Sequence, residues 1–550
     1  MPMMIDIDCG GKKKEVLGGS LAFEITKQFG FDGSALAIRI GNEVVELDEK
    51  IETSCTLEVI DRNTSIGNFI YERGLLFLTI NSIKTVLGKS VLVFVEHSID
   101  KGIYIKIEGQ KKITESSLAN IEKEMRRLVE SDLLFERVNI LRKDAIKYFS
   151  ETYRKDKADA LKYISNSTVT LYKFNNMLDY FFGEMPYSSK VLKDFELTLI
   201  DDKSLVLRFP TIYSKDEIDP YVNHEKMFKT YKNYSTWADV IKIDKVFDLN
   251  EEVSSGKISD LICLAETTQN NELFNIASSI EAKKGKIKLV LIAGPSSSGK
   301  TTTSKKLSIY LRGLGLKPHP LSVDDYFKER DETPLDENGK PDYESINSID
   351  IELFNKNLTS LLAGEEVLLP EYNFITGKKE FKNRLILQEE DILVVEGLHG
   401  LNEKLTSSIK KENKFKIYIA PLTVISLDDH NRIKTTDIRL LRRMIRDNKY
   451  RGYNASKTIS TWADVRKGEE KYVFPFQDEA DVIFNSALIY ELGALKTYAE
   501  PLLFSVEETD VFYAEAIRLI NLLRNVLPIS GEDIPYDSIL REFIGNSQFR

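Results

Sequence analysis

The run Leu289-Val290-Leu291-Ile292-Ala293-Gly294-Pro295-Ser296-Ser297-Ser298-Gly299-Lys300-Thr301-Thr302 joins five apolar residues to a glycine-framed turn, and a helical pattern follows over residues 302–312. Strand, GxxxxGK[ST] loop and helix stand here in the order that phosphate binding requires. Gly294 and Gly299 let the backbone curl, so that the N–H groups around Ser296, Ser297 and Ser298 turn inward toward phosphate oxygens. The helix N-terminus at Thr302 adds the positive end of its dipole. Lys300 is placed to reach β- and γ-phosphates, and the Thr301 hydroxyl to coordinate Mg²⁺. ATP and Mg²⁺ are the expected cofactors, against the plainer alternative of a glycine turn between strand and helix.

Outward from this loop, residues 287 onward alternate apolar strands with amphipathic helices, the pattern of a doubly wound parallel α/β sheet. In such a sheet the strand carboxyl ends converge on the ligand crevice. The strand at 320–323 ends in Asp324, which is predicted to face the γ-phosphate and to accept a hydroxyl proton or hold a metal-bound water. A helix N-cap is its alternative role. The apolar run 391–395 ends in Glu396, a carboxylate that needs a partner if buried, for which Mg²⁺ is the natural choice. Arg439, Arg442, Arg443 and Arg446 fall at i, i+3, i+4 and i+7, on one face of a helix. They form either a solvated basic face or a set of arginines that closes over the charge developing in phosphoryl transfer.

A chain of 550 residues exceeds one hydrophobic core, so two to four domains are expected. With 42% hydrophobic and 29% charged residues, each can bury a core without disulfides. The cysteines Cys9, Cys55 and Cys263 are scattered and lack metal-ligand spacing, which suits a reducing, cytoplasmic setting. The first residues do not read as a signal peptide, and no run of about 18 apolar residues suggests a membrane span. A formal charge of −10 argues against broad nucleic-acid binding.

The expected organisation is a small α+β module at 1–62, an α+β domain at 63–225, a helical linker at 226–285, the phosphate-loop domain at 286–505 and a helical tail at 506–550. Within the tail, residues 538–544 are amphipathic.

Residues 286–505 resemble the uridine kinase and phosphoribulokinase family. The likeness rests on the phosphate loop, Ser322-Val-Asp324-Asp-Tyr326, Pro370-Glu-Tyr372-Asn-Phe374, Val394-Val-Glu396-Gly397, the arginine helix from Asp437 to Asp447, and Ala480-Asp-Val-Ile-Phe. The resemblance implies Asp324 as general base, Thr301, Asp324 and Glu396 around the metal, and Lys300 at the phosphates. It implies Arg439, Arg442 and Arg443 in a lid segment, with Arg442 catalytic and Arg439 also toward the substrate. Tyr326, Glu344, Tyr372 and Phe374 would grip a nucleoside-like acceptor. The family's pyrimidine-reading histidine is replaced by Gly377, which leaves open space in this reading, and its ribose-contacting aspartate by Glu344.

The front half resembles threonyl-tRNA synthetase architecture. Residues 4–61 look like a TGS domain, a small ubiquitin-like α+β fold, with Gly18-Gly19-Ser20 before the helix. A net charge of −5 over residues 1–62 disfavours RNA binding there. Residues 63–215 resemble the synthetase's editing-type second domain, through Asn120-Ile-Glu-Lys-Glu-Met-Arg-Arg, Asp132-Leu-Leu-Phe-Glu-Arg and Asp179-Tyr-Phe-Phe-Gly-Glu-Met-Pro186. The first histidine pair of that site is missing from Phe69-Ile-Tyr-Glu-Arg-Gly74, and Phe181 and Met185 stand at the cysteine and last histidine. No zinc is expected, and a degenerate binding scaffold is the implied role. Transfer of the ATP γ-phosphoryl group to a nucleoside hydroxyl is the expected reaction, by a chain that could form homo-oligomers. A sugar-phosphate acceptor, which Lys378, Lys379 and Arg384 would suit, and a non-catalytic ATP switch linked to translation are the alternatives.

Overall fold

The computed structural model describes residues 3–109, 112–214, 216–337, 339–373 and 376–549. At the front, Met4–Cys9 alternates exposed and buried positions, so Ile5 and Ile7 share one face. That strand lies between Lys12–Leu17 and Cys55–Ile60 in a five-stranded mixed sheet, completed by Ala37–Ile40 and Glu43–Val45. The helix Ala22–Gln28 covers it through Ala22 and Ile25.

The next region is built on the 23-residue helix Ser65–Leu87. It is buried almost all round, so it shows no amphipathic period. A four-stranded antiparallel sheet, a three-stranded sheet and the helix Glu115–Glu130 enclose it.

Residues 226–285 are helical, but their helices are packed into the α/β half and do not form a free spacer. Ala238, Val246, Leu249 and Leu261 share a core with Leu440, Leu441 and Met444, while Leu273, Ile276 and Ile280 join the core that covers the phosphate-loop strand.

In the C-terminal half, β1 (Leu289–Ala293), β2 (Lys317–Ser322), β3 (Asp391–Glu396), β4 (Lys414–Ala420) and β5 (Val482–Asn485) form one sheet in the order β2-β3-β1-β4-β5. Every pairing is parallel. β1 is buried throughout, as a strand covered on both faces must be. Helix α1 (Lys300–Gly313) covers one face through Leu307 and Leu311, and α2 (Ile351–Leu362) the other through Phe354, Leu358 and Leu361. Helices α3 (Thr435–Arg451) and α4 (Ala455–Tyr472) lie between β4 and β5 in the chain, followed by α5 (Glu491–Phe504). No helix among the described residues is long and apolar enough to cross a membrane.

Candidate active site

The phosphate loop leaves the carboxyl end of β1 and closes on α1. A Cβ at Gly294 would stand 2.3 Å from the Ile419 carbonyl, so only glycine lets the loop pass β4. Gly299 takes a left-handed φ of +88° as the residue before α1. The Lys300 ammonium donates to the Pro295 carbonyl at 3.1 Å, folding back across the loop. The Thr301 hydroxyl donates to Glu396 Oε1 at 3.3 Å.

Two carboxylates converge beside Lys300 because β2 and β3 are neighbours in register. Ser322 pairs with Glu396, which sets Asp324, two residues beyond β2, next to the end of β3. Asp324 is open to solvent but ringed by protein, and this crowding raises its carboxyl above the ordinary range while Lys300, Arg451 and Arg446 pull it back. Glu396 is pushed up by desolvation first and by Asp324 second. Two like charges held together with a hydroxyl form a donor set that a divalent cation would relieve. Among the described residues no group of three or more His, Cys, Asp or Glu gathers as a metal cage. One hydroxyl and two carboxylates are a donor set that would suit Mg²⁺, which keeps waters and phosphate oxygens among its ligands.

Glu344 lies in the same cleft, close to Gly468, where an added Cβ would meet its side chain at 2.7 Å. Desolvation and the nearby Glu469 raise it to about 7, against Arg443 and Lys300.

The arginine helix divides its contacts between the phosphate loop and the interior. Arg439 donates from Nε to the Ser296 carbonyl at 2.9 Å and pairs with Glu469. Arg443 donates to Ser296 Oγ at 2.9 Å. Arg442, expected to act on the transferring group, is 0% exposed. Its Nε donates to Glu491 at 2.8 Å and its Nη2 to the Ser486 carbonyl at 2.9 Å. It braces the loop from behind, because Glu491 on α5 holds its guanidinium away from the cleft.

Other expected positions separate. Tyr326 is buried, its hydroxyl accepts from Asn357 Nδ2 at 3.1 Å and its ring packs edge-on against Phe354, so it faces the core and not an acceptor. Tyr372 is held by its N–H donating to Asp325 at 3.3 Å and by its ring beside Phe327. Phe374 lies outside the described residues. The space beside Gly377 is not open: a Cβ there would stand 3.0 Å from Arg330 Cβ and 3.1 Å from its Nε. Lys379 is tied to Asp350 at 2.6 Å and Arg384 to Glu366 at 2.8 Å.

Sequence reasoning missed three contributors. Arg451 joins the expected Arg446 in drawing the Asp324 carboxyl down. Glu469 accepts from the Ser296 N–H at 2.8 Å, and Glu542 from the Thr302 N–H at 3.2 Å. Both glutamates come from segments without a motif, and Gly468 is the only local hint.

The front half grips the approach to α3. Val95 N–H donates to the Asp429 carbonyl at 2.8 Å, and the buried Glu72 pairs with Arg432 at 3.0 Å and Lys434 at 2.7 Å. Those cations outweigh desolvation and hold Glu72 down at about 2. Phe69 and Phe181 line a cavity of about 690 Å³ there, and Met185 is buried in the core.

Residues 289–490 match the family model "Phosphoribulokinase / Uridine kinase family". The uridine kinase of Staphylococcus haemolyticus is 27% identical over 196 residues, 36% of this chain and 86% of its own. That of Halobacterium salinarum is 24% identical over 194 residues, 35% of this chain and 77% of its own. A solved structure described as a possible uridine kinase from Bacillus stearothermophilus has a TM-score of 0.29 at 20% identity, covering 39% of this chain and 98% of that one. The C-terminal half thus carries a kinase domain of this family, a phosphotransferase with a nucleotide-binding phosphate loop.

Proposed function

On the premise of that kinase domain, we propose that the protein transfers the γ-phosphoryl group of ATP to a hydroxyl of a small nucleoside-like or sugar acceptor, with Mg²⁺, in the cytoplasm. The observation that carries this reading is the convergence of Lys300, Thr301, Asp324 and Glu396 at the strand ends. Loop amides and Lys300 cradle the phosphates, and Thr301, Asp324 and Glu396 would hold the metal through its waters. Bound Mg²⁺ supplies neutralisation of charge on the β- and γ-phosphates. Asp324 accepts the proton of the attacking hydroxyl, a task its raised pKa favours, since an efficient base has a pKa near the working pH. An ATP switch would need the metal ligands but no base for an acceptor. Purified protein incubated with ATP and a panel of nucleosides and sugar phosphates, read by mass spectrometry, tests the reading. Release of phosphate with no phosphorylated acceptor would favour the switch.

A second reading, an anionic acceptor such as a sugar phosphate, is favoured by Arg330. Its guanidinium stands beside Gly377 in place of a base-reading imidazole. For the front half we propose a TGS-like and degenerate synthetase-like scaffold that steadies the loop into α3.

A further inference from the structure

The C-terminal segment reaches the phosphate loop from the far end of the chain. Ile539, Leu540, Phe543 and Ile544 are all buried. Ile539 lies so close that a Cβ on Gly299 would stand 2.6 Å from its methyl group. The Phe543 ring centre lies 5.1 Å from the Arg442 guanidinium, and Lys449 donates to the Ile544 carbonyl at 2.8 Å. Between these anchors the Glu542 carboxylate accepts from the Thr302 N–H at 3.2 Å. Its other oxygen lies 3.9 Å from Arg446.

The first-turn N–H groups of a helix have no partners within it, and in a phosphate-loop domain they are the groups that hold phosphate. One of them is already taken here by an anion belonging to the chain. A carboxylate and a phosphate oxygen cannot share that N–H, and their like charges repel in a low-dielectric cleft. We propose that Glu542 is a built-in competitor for the nucleotide phosphates, and that it swings toward Arg446 when nucleotide enters. The motion belongs to the side chain, because the apolar residues around it hold the segment's backbone in the core. The consequence is a nucleotide affinity set below what the loop alone would give. This inference rests on the ATP reading above.

The test is titration of the full-length protein and its Glu542→Gln and Glu542→Ala variants with ATP, pyrophosphate and adenosine by calorimetry, with melting temperatures alongside. Both variants should bind ATP and pyrophosphate about tenfold more tightly, bind adenosine as before, and melt within a few degrees of the parent. An ATP affinity that is unchanged or weaker in variants that stay folded overturns the inference alone. So does an equal gain for adenosine, which has no phosphate and would report looser packing. If neither the parent nor the variants bind ATP, the nucleotide reading fails and takes this inference with it.

Discussion

The Thr301 hydroxyl donates to Glu396 across 3.3 Å, joining the first turn of α1 to the carboxyl end of β3. The contact brings a hydroxyl, a carboxylate and, through strand register, Asp324 to one point beside Lys300. In the proposed reaction, phosphate positioning and proton acceptance can therefore be separated by mutation.

Arg442 and Glu491 are a buried pair behind the loop. Arg442→Met should lower stability by about 3–5 kcal/mol, because Glu491 would be left buried without its counter-charge. Arg443→Met, whose side chain reaches Ser296 Oγ near the cleft, should weaken nucleotide binding with a smaller loss of stability. Denaturant unfolding of both variants, beside nucleotide titrations, checks the division. An Arg442→Met protein as stable as its parent would contradict the brace.

Glu344 supplies a pH signature. Its carboxyl is held up to about 7 in the folded protein, against 4.5 ordinarily. The folded state therefore keeps a proton that the unfolded chain has released, so stability declines as pH rises from about 4.5 through about 7. Glu344→Gln should flatten that part of the profile and make the protein relatively more stable at pH 8. Melting curves from pH 4 to 8 test it, and an identical decline in the variant would place the titration elsewhere.

Arg330 fills the space beside Gly377, and that residue has φ +70°. Gly377→His should therefore strain the hairpin of Val367–Asn373 and Lys378–Leu385, and gain no discrimination between uridine and cytidine. If the acceptor is anionic, Arg330→Ala should raise its KM by about tenfold or more with kcat changed less, since it removes a charge-assisted contact. Steady-state kinetics on the best acceptor from the panel decide the matter. High efficiency on uridine with rejection of sugar phosphates would set the anionic reading aside.

Phe181 and Met185 lie in the apolar core of the front half. Neither side chain offers a metal ligand or a general base, so purified protein should contain no stoichiometric zinc and should not deacylate mischarged threonine tRNA. Metal analysis and a deacylation assay check this. A positive result in either would mean that another cluster does the work.

The parts legible in the sequence were those whose chemistry is local in the chain. The phosphate loop carries its own spacing, and strand runs ending in Asp324 and Glu396 point to a shared crevice once the sheet is parallel. Partners far along the chain were not legible. Arg442 looked like part of a ligand-facing stripe because Glu491 and the Ser486 carbonyl lie 49 and 44 residues away. Tyr326 sits within a motif but turns to Asn357, which only the docking of α2 reveals. Ser65–Leu87 was missed because a helix buried all round has no polar face to give a period. The stretch 226–285 read as a linker because buried Glu266 and Gln269 count as polar in a pattern, whatever their surroundings.

The central claim is that Asp324 takes the acceptor proton in an ATP-dependent phosphoryl transfer. Its most direct measurement is ATP affinity and turnover of Asp324→Asn on the same preparation, with Lys300→Ala as comparison. ATP affinity of Asp324→Asn should stay near that of the parent while turnover falls by about a hundredfold or more, because a positioned general base is worth at least that much. Lys300→Ala should lose both binding and turnover. An Asp324→Asn protein that phosphorylates its acceptor at the parent's rate would contradict the account.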